Sequence, residues 1–333
     1  MTESGPENKR KRVVTVVGPP RSGTSAITRA LECLDVDLGD PESHRPADSG
    51  NPKGVWEDRL IIDLCARALA SFGLPWYGLQ LFAAADSQTP QGQNFIAEAA
   101  DIISRRLATA PDGVWGCKNP QIGRINYIWL AACRQVACND AYVIALRNPL
   151  NVAASIIRGS PHFGVGCNPT HLHLMWLVYQ IGAMEPILAG KPAVVVDFDA
   201  MLADPVTQLN RMSRALNLPA DPAAVQAYQS GFLQKDLCHS TQAADDLHGD
   251  PRVPALVRRT YSLLSEAAFD RIPLSSPEFR IALEKIAAEA RDRNPMFRLI
   301  DQMDQRLVRS RALGRMIYRN SPGFIRRWMA RFA

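Results

Sequence analysis

No stretch of this 333-residue chain approaches the roughly 18 consecutive apolar residues that a membrane-spanning helix needs. The first residues, MTESGPENKRKR, have no apolar signal core and read as a disordered basic arm, residues 1–12. Metal ligands are sparse. The seven cysteines (33, 65, 117, 133, 138, 167 and 238) are odd in number, scattered, and never spaced as CxxC. That pattern excludes a disulfide framework and fits reduced thiols in a cytoplasm. No paired His/Cys group suggests zinc, and His171 and His173, two apart, would diverge on a helix, so no metal is expected. The body also lacks a basic surplus. From Arg291 onward eleven arginines face three aspartates, whereas the whole chain carries only +5, so residues 1–290 carry about −3. Nucleic-acid binding by the body is therefore not expected, and the basic end needs its own explanation.

A lysine is missing where the most informative stretch would need one. Residues 13–31, VVTVVGPPRSGTSAITRAL, read as strand, tight turn and helix. Such a turn aims backbone N–H groups and the positive helix end at one point, which suits an anion. Gly18-x-x-x-x-Gly23-Thr24-Ser25 has the frame of a phosphate-binding P-loop, but Thr24 stands where lysine would serve the β- and γ-phosphates of a nucleoside triphosphate. The cation has moved to Arg21, inside the turn. The plainer alternative is a Gly/Pro turn capped by Ser22 or Thr24.

What is present is an α/β alternation: a central parallel sheet flanked by helices over residues 13–290. Residues 113–117 form a short strand that ends at Lys118-Asn119-Pro120. Ala141–Leu146 is an apolar run of buried-strand type, followed at once by Arg147-Asn148-Pro149 and a helix carrying Ser155. Strand ends of open α/β sheets line the ligand crevice, so Lys118 can face phosphate or sulfate there, or be a solvated loop lysine. Arg147 and Ser155 can clamp a second phosphate. Glu57 and Asp58 fall at a helix start, where carboxylates also serve as caps, the role expected for Asp58. Residues 191–198 read as another buried strand, 199–204 as a turn and 205–216 as a helix. Residues 71–92 read as irregular and 229–260 as an irregular polar flap. Residues 291–333 read as a basic helical extension. That extension could lie on an anionic membrane surface, pack on a neighbouring subunit, or simply present a solvated face.

Two anion clamps without a P-loop lysine resemble the sulfotransferases that use 3′-phosphoadenosine 5′-phosphosulfate (PAPS), in particular their bacterial branch. The resemblance covers about residues 13–218. Gly18-Pro-Pro-Arg-Ser-Gly-Thr-Ser25 resembles the 5′-phosphosulfate loop, and Leu146-Arg147 to Ser155 the 3′-phosphate element. Asn51 to Glu57, Trp115-Gly-Cys-Lys118-Asn-Pro and Val196 to Pro205 resemble further segments of the bacterial members. The resemblance implies a P-loop-like sulfotransferase fold and an enzyme needing no metal. It would transfer a sulfuryl group to a hydroxyl or amine on a small-molecule, lipid or glycan acceptor. It implies Arg21, Ser22, Gly23, Thr24, Ser25, Arg147 and Ser155 as PAPS ligands, Arg21 and Lys118 as charge-stabilising cations, and Glu57 as base, with His44 and His239 as runners-up. The glycine-containing basic motif of many eukaryotic members has no clear copy; Arg252, Arg258 and Arg259 are the nearby substitutes. The competing readings are a P-loop kinase or NTPase, which Thr24 opposes, and a non-catalytic nucleotide-binding scaffold. The implied location is cytoplasmic, with the tail as a candidate contact to the inner membrane face.

Overall fold

The computed structural model describes residues 11–47, 54–159, 168–233 and 244–320. Four parallel strands form its sheet: β1 (Arg12–Val17), β2 (Val114–Lys118), β3 (Asn139–Leu146) and β4 (Ala193–Asp197), in the order β2-β1-β3-β4. The register pairs Val13 with Trp115 and Asp140, and Ile144 with Val195. The chain leaves β1 toward β2 and then crosses to β3 on the other side. The crevice beyond the C-terminal ends of β1 and β3 is thus the topological switch point, where such sheets bind ligands.

Both faces of the sheet are covered, which is why its strands read as continuous apolar runs. Side-chain alternation divides them. Val13, Val17, Trp115, Tyr142, Ile144 and Val195 enter one core; Val14, Val16, Val143, Ala145, Val194 and Val196 enter the other. The larger core is closed by α2 (Arg59–Ser71), α4 (Pro90–Thr109), α5 (Asn126–Val136), α7 (Pro169–Leu188) and α12 (Ala255–Ala268), which packs on β3 and β4, with α13 (Pro277–Asp292) against α7 and α12. The smaller core is closed by α1 (Thr24–Ala30), α9 (Pro205–Leu216) and α10 (Pro222–Ala227). Short helices α3 (Ala84–Ser87), α8 (Phe198–Ala203) and α11 (Ala244–Gly249) punctuate the connections. The remaining helices are α6 (Pro149–Gly159) and α14 (Asn294–Asn320).

Helix starts follow the chemistry of the chain. Asp58, Thr89, Asn168, Asp197, Asp204, Asp221 and Ser276 each cap a helix with a side-chain oxygen. Five of those helices have proline in the first turn, where no N–H is required. Asp58 is therefore a cap, as its position implies.

Two expectations fail locally. Residues 199–204 are not a turn: Asp197 caps a helix there, with its side chain accepting from Ala200 N–H at 2.9 Å. Much of 229–260 is not irregular either. Residues 228–232 form a π-helical turn and α12 begins at Ala255, with Leu256, Val257 and Tyr261 buried. A flap over 234–243 lies outside the described residues.

Candidate functional site

The turn after β1 is shaped by close backbone approach. Gly18 has φ 145°, and a β-carbon there would lie 2.7 Å from the Ala145 carbonyl of β3. Arg21 follows in the left-handed region at φ 67°, uncommon for a residue with a side chain. Gly23, at φ 76°, is the N-cap of α1, and a β-carbon there would fall 1.9 Å from the Phe198 ring. Only glycine satisfies both the angle and the contact. The first N–H groups of α1 have no acceptor within the helix. Ser22 is fully buried, and its hydroxyl oxygen has no hydrogen-bond partner. A buried polar atom without a partner carries a cost, so its place beside this turn fits an anion cradle. Thr24 begins α1 and is buried; Ser25 donates from Oγ to the Val55 carbonyl at 3.2 Å, tying the turn to residues 54–57.

Arg147, at the end of β3, meets this turn across the switch point. Its Nη1 donates to the Arg21 carbonyl at 3.0 Å. Arg21 in turn donates from Nε to Ser155 Oγ, 3.1 Å away on α6. Arg21, Arg147 and Ser155 thus form one connected group, although 134 positions separate Arg21 from Ser155. The Arg147 guanidinium lies 5.0 Å above the Phe198 ring, and Asp199 faces it at 3.7 Å. Trp176 donates from its indole N–H to the Arg147 carbonyl at 3.1 Å, fixing the strand end. Burial, first of all, pushes the neighbouring Asp197 carboxyl up to about 6; the Asp199 charge adds to this and Arg147 opposes it.

Beside this group lies a buried ion pair. Lys118 donates from Nζ to Glu57 Oε1 at 2.6 Å, and both side chains are buried. Burial lowers the Lys118 pKa, the Glu57 charge raises it again, and Arg45 and Arg21 add to the lowering. Arg21 therefore belongs to the same electrostatic neighbourhood as the pair. Trp56, at φ 56°, turns the chain just before Glu57. Arg45 N–H donates to the Glu57 carbonyl at 2.8 Å, so the backbone of Glu57 is held by the preceding loop. Asp58 is occupied by its cap and by an ion pair with Arg106 at 2.6 Å.

Of the runners-up, the His44 ring is engaged elsewhere. His44 is buried with Nε2 against the Leu38 carbonyl at 2.8 Å, while His239 lies outside the described residues. Arg252 pairs with Asp250, Arg259 with Glu289, and Arg258 donates to the Asp250 carbonyl. His171 and His173 contact different carbonyls, those of Tyr77 and Arg252. Among the described residues no group of three His, Cys, Asp or Glu could hold a metal. A cavity of about 560 Å³ between α5, α7 and the α13–α14 junction contains none of the site residues named above.

Comparison with known proteins adds little. No family model and no curated protein matches the sequence. The structural likeness is to sulfotransferase domains. The sulfotransferase domain of the olefin synthase from Synechococcus PCC 7002 aligns with 87% of this chain and 98% of its own, at 18% identity and a TM-score of 0.41. The sulfotransferase domain from the curacin biosynthetic pathway aligns with 83% and 96%, at 13% identity and a TM-score of 0.39. At these values the likeness decides nothing about the chemistry of this chain.

Sequence reasoning missed Phe198, Asp197, Asp199 and Trp176. Asp197 carries a readable signal, a carboxylate ending an apolar strand. The others are placed by contacts too distant along the chain to read.

Proposed function

We propose that the protein is a PAPS-dependent sulfotransferase. The observation that carries this is the joining of two cationic positions, Arg21 and Arg147, at the switch point of the sheet, with Arg21 also bonded to Ser155. PAPS carries two separate anionic groups on its ribose, a 5′-phosphosulfate and a 3′-phosphate, and two linked clamps suit it better than a single phosphate site. In this reading the N–H groups of Ser22 to Ser25 hold the 5′-phosphate, and Arg147 with Ser155 holds the 3′-phosphate. The unpartnered Ser22 hydroxyl fits the first role.

The chemistry needs positioning and charge more than covalent help. The acceptor oxygen or nitrogen forms a bond to sulfur while the bond from sulfur to the bridging phosphate oxygen breaks. Glu57 takes the acceptor proton, and adenosine 3′,5′-bisphosphate leaves. Arg21 and Lys118 stabilise the charge that moves onto the bridging and sulfuryl oxygens. The buried Glu57–Lys118 ion pair holds the carboxylate in place before the acceptor arrives, and the Glu57 charge opposes the lowering of the Lys118 pKa by burial. The acceptor is a small molecule, lipid or glycan bearing a hydroxyl or amine, no metal is required, and the setting is a bacterial cytoplasm.

A kinase or NTPase reading lacks the P-loop lysine, since Thr24 holds its position. The test is to incubate the full chain with labelled PAPS and a cell extract, with chelator present, and to compare thermal stabilisation by adenosine 3′,5′-bisphosphate and by AMP. Labelled acceptor and stronger stabilisation by the bisphosphate are expected. Equal stabilisation by the two would refute the two-clamp reading.

A further inference from the structure

The helix α14 divides its charged and apolar residues in an unusual way. One side faces the body: Phe297 is fully buried, and Asp301 and Asp304 are each only 4% exposed. Asp301 accepts from Leu79 N–H at 2.8 Å and Gln80 N–H at 2.8 Å. Asn294 accepts from Leu81 N–H at 2.7 Å. The other side carries Met296, Leu299, Met303 and Leu307, exposed by 51, 55, 55 and 47%. Their spacing of three, four and four residues places them on one stripe. Arg298, Gln302 and Arg306 flank the stripe and are exposed.

The two acids of this segment are thus withdrawn into the body, leaving an outer face that is apolar and basic. The sequence beyond it continues the trend: residues 308–333 hold seven arginines and no Asp, Glu or Lys. We infer that the outer face of α14 docks on an anionic lipid surface. Interfacial helices combine an apolar stripe with flanking cations, the stripe entering the headgroup boundary and the cations meeting lipid phosphates. A second copy of the chain docking face to face would bring the same arginines together, so a symmetric dimer through this face is disfavoured. Among the described residues no helix is long and apolar enough to cross a membrane, so the contact is peripheral.

The experiment uses the full chain with two vesicle preparations, phosphatidylcholine alone and phosphatidylcholine mixed with phosphatidylglycerol. Cosedimentation with the mixed vesicles only, weakened by salt, is expected. The exposed-site variants Leu299→Asp and Met303→Asp should each weaken binding about tenfold, because each removes partial burial of one large apolar side chain. A thermal melt checks that the variants fold. Equal binding to both vesicles, no binding, or binding indifferent to both variants would overturn the inference. So would a concentration-dependent dimer that the variants dissolve, since that would assign the stripe to a second copy. None of these readouts depends on sulfuryl transfer, so the inference and the proposed activity fail separately.

Discussion

Replacing Asp197 by asparagine should flatten part of the pH dependence of stability. Asp197 is buried at the end of β4, and its carboxyl is raised from 3.8 to about 6, chiefly by burial. Between those values the folded chain holds a proton that the unfolded chain has released. The contribution is therefore fully present below about pH 4 and is lost as pH rises through about 6. The interval from 3.8 to about 6 corresponds to about 3 kcal/mol, taking ~1.4 kcal/mol per pH unit. Asparagine caps helices as well as aspartate, so the α8 cap survives the change and only the titration is removed. Urea unfolding of both proteins at constant ionic strength, at several pH values from 4 to 7, isolates the difference. Asp197→Asn should gain on the parent by about 3 kcal/mol across that range. Parallel profiles would refute the assignment of a raised carboxyl to this position. The same group bears on ligand binding. Arg147 holds the Asp197 pKa down, and a phosphate seated on Arg147 would weaken that relief. Calorimetry in buffers of different ionisation enthalpy should then show proton uptake near pH 6 when adenosine 3′,5′-bisphosphate binds.

Other substitutions probe the remaining contacts. Gly23→Ala adds a side chain in the left-handed region and displaces Phe198 from beneath Arg147, so it should destabilise by about 2–4 kcal/mol and weaken bisphosphate binding, as read by urea unfolding and titration. Lys118→Met leaves Glu57 buried without its cation and should cost about 3–5 kcal/mol, much of it recovered in the double variant Lys118→Met/Glu57→Gln; a double-mutant cycle measures this. Glu57→Gln alone should keep bisphosphate binding while lowering turnover about a hundredfold or more, and unchanged turnover would remove it as base. Asp301→Ala strands the N–H groups of Leu79 and Gln80 and should cost about 2–4 kcal/mol, with proteolysis near residues 76–82 as a local readout.

The sheet was legible because burial on both faces leaves strands such as 141–146 and 193–196 almost wholly apolar. Strand ends also marked Lys118, before the proline that stops 113–117, and Arg147, directly after 141–146, since a charged residue closing a buried strand falls at its C-terminal end. The glycines and cation of the first turn were readable from spacing. Partnerships were not. Nothing local announces that Glu57 pairs with Lys118, or that Phe198 fills the space that Gly23 leaves open. Residues 199–204 read as a turn, yet Asp197, at the end of the preceding strand, caps a helix that runs to Ala203, and Asp204 caps the next. Residues 76–82 read as irregular, yet their carbonyls at 76, 78 and 80 accept from Arg124 while Asp301 takes their N–H groups. An irregular backbone can be as firmly held as a helix when charged side chains replace the missing ladder.

The bond from Arg147 to the Arg21 carbonyl makes the two grips parts of one caliper. Neither jaw can move without pulling the other, because the side chain of one holds the backbone of the other, and Arg21 reaches back to Ser155 on the helix behind Arg147. Under the proposed reading, such a device selects by length as well as by charge. A nucleotide whose second anion is shifted by one ribose position would offer the same charge at the wrong span. It could seat one end only, and the jaw it missed would keep its internal partners.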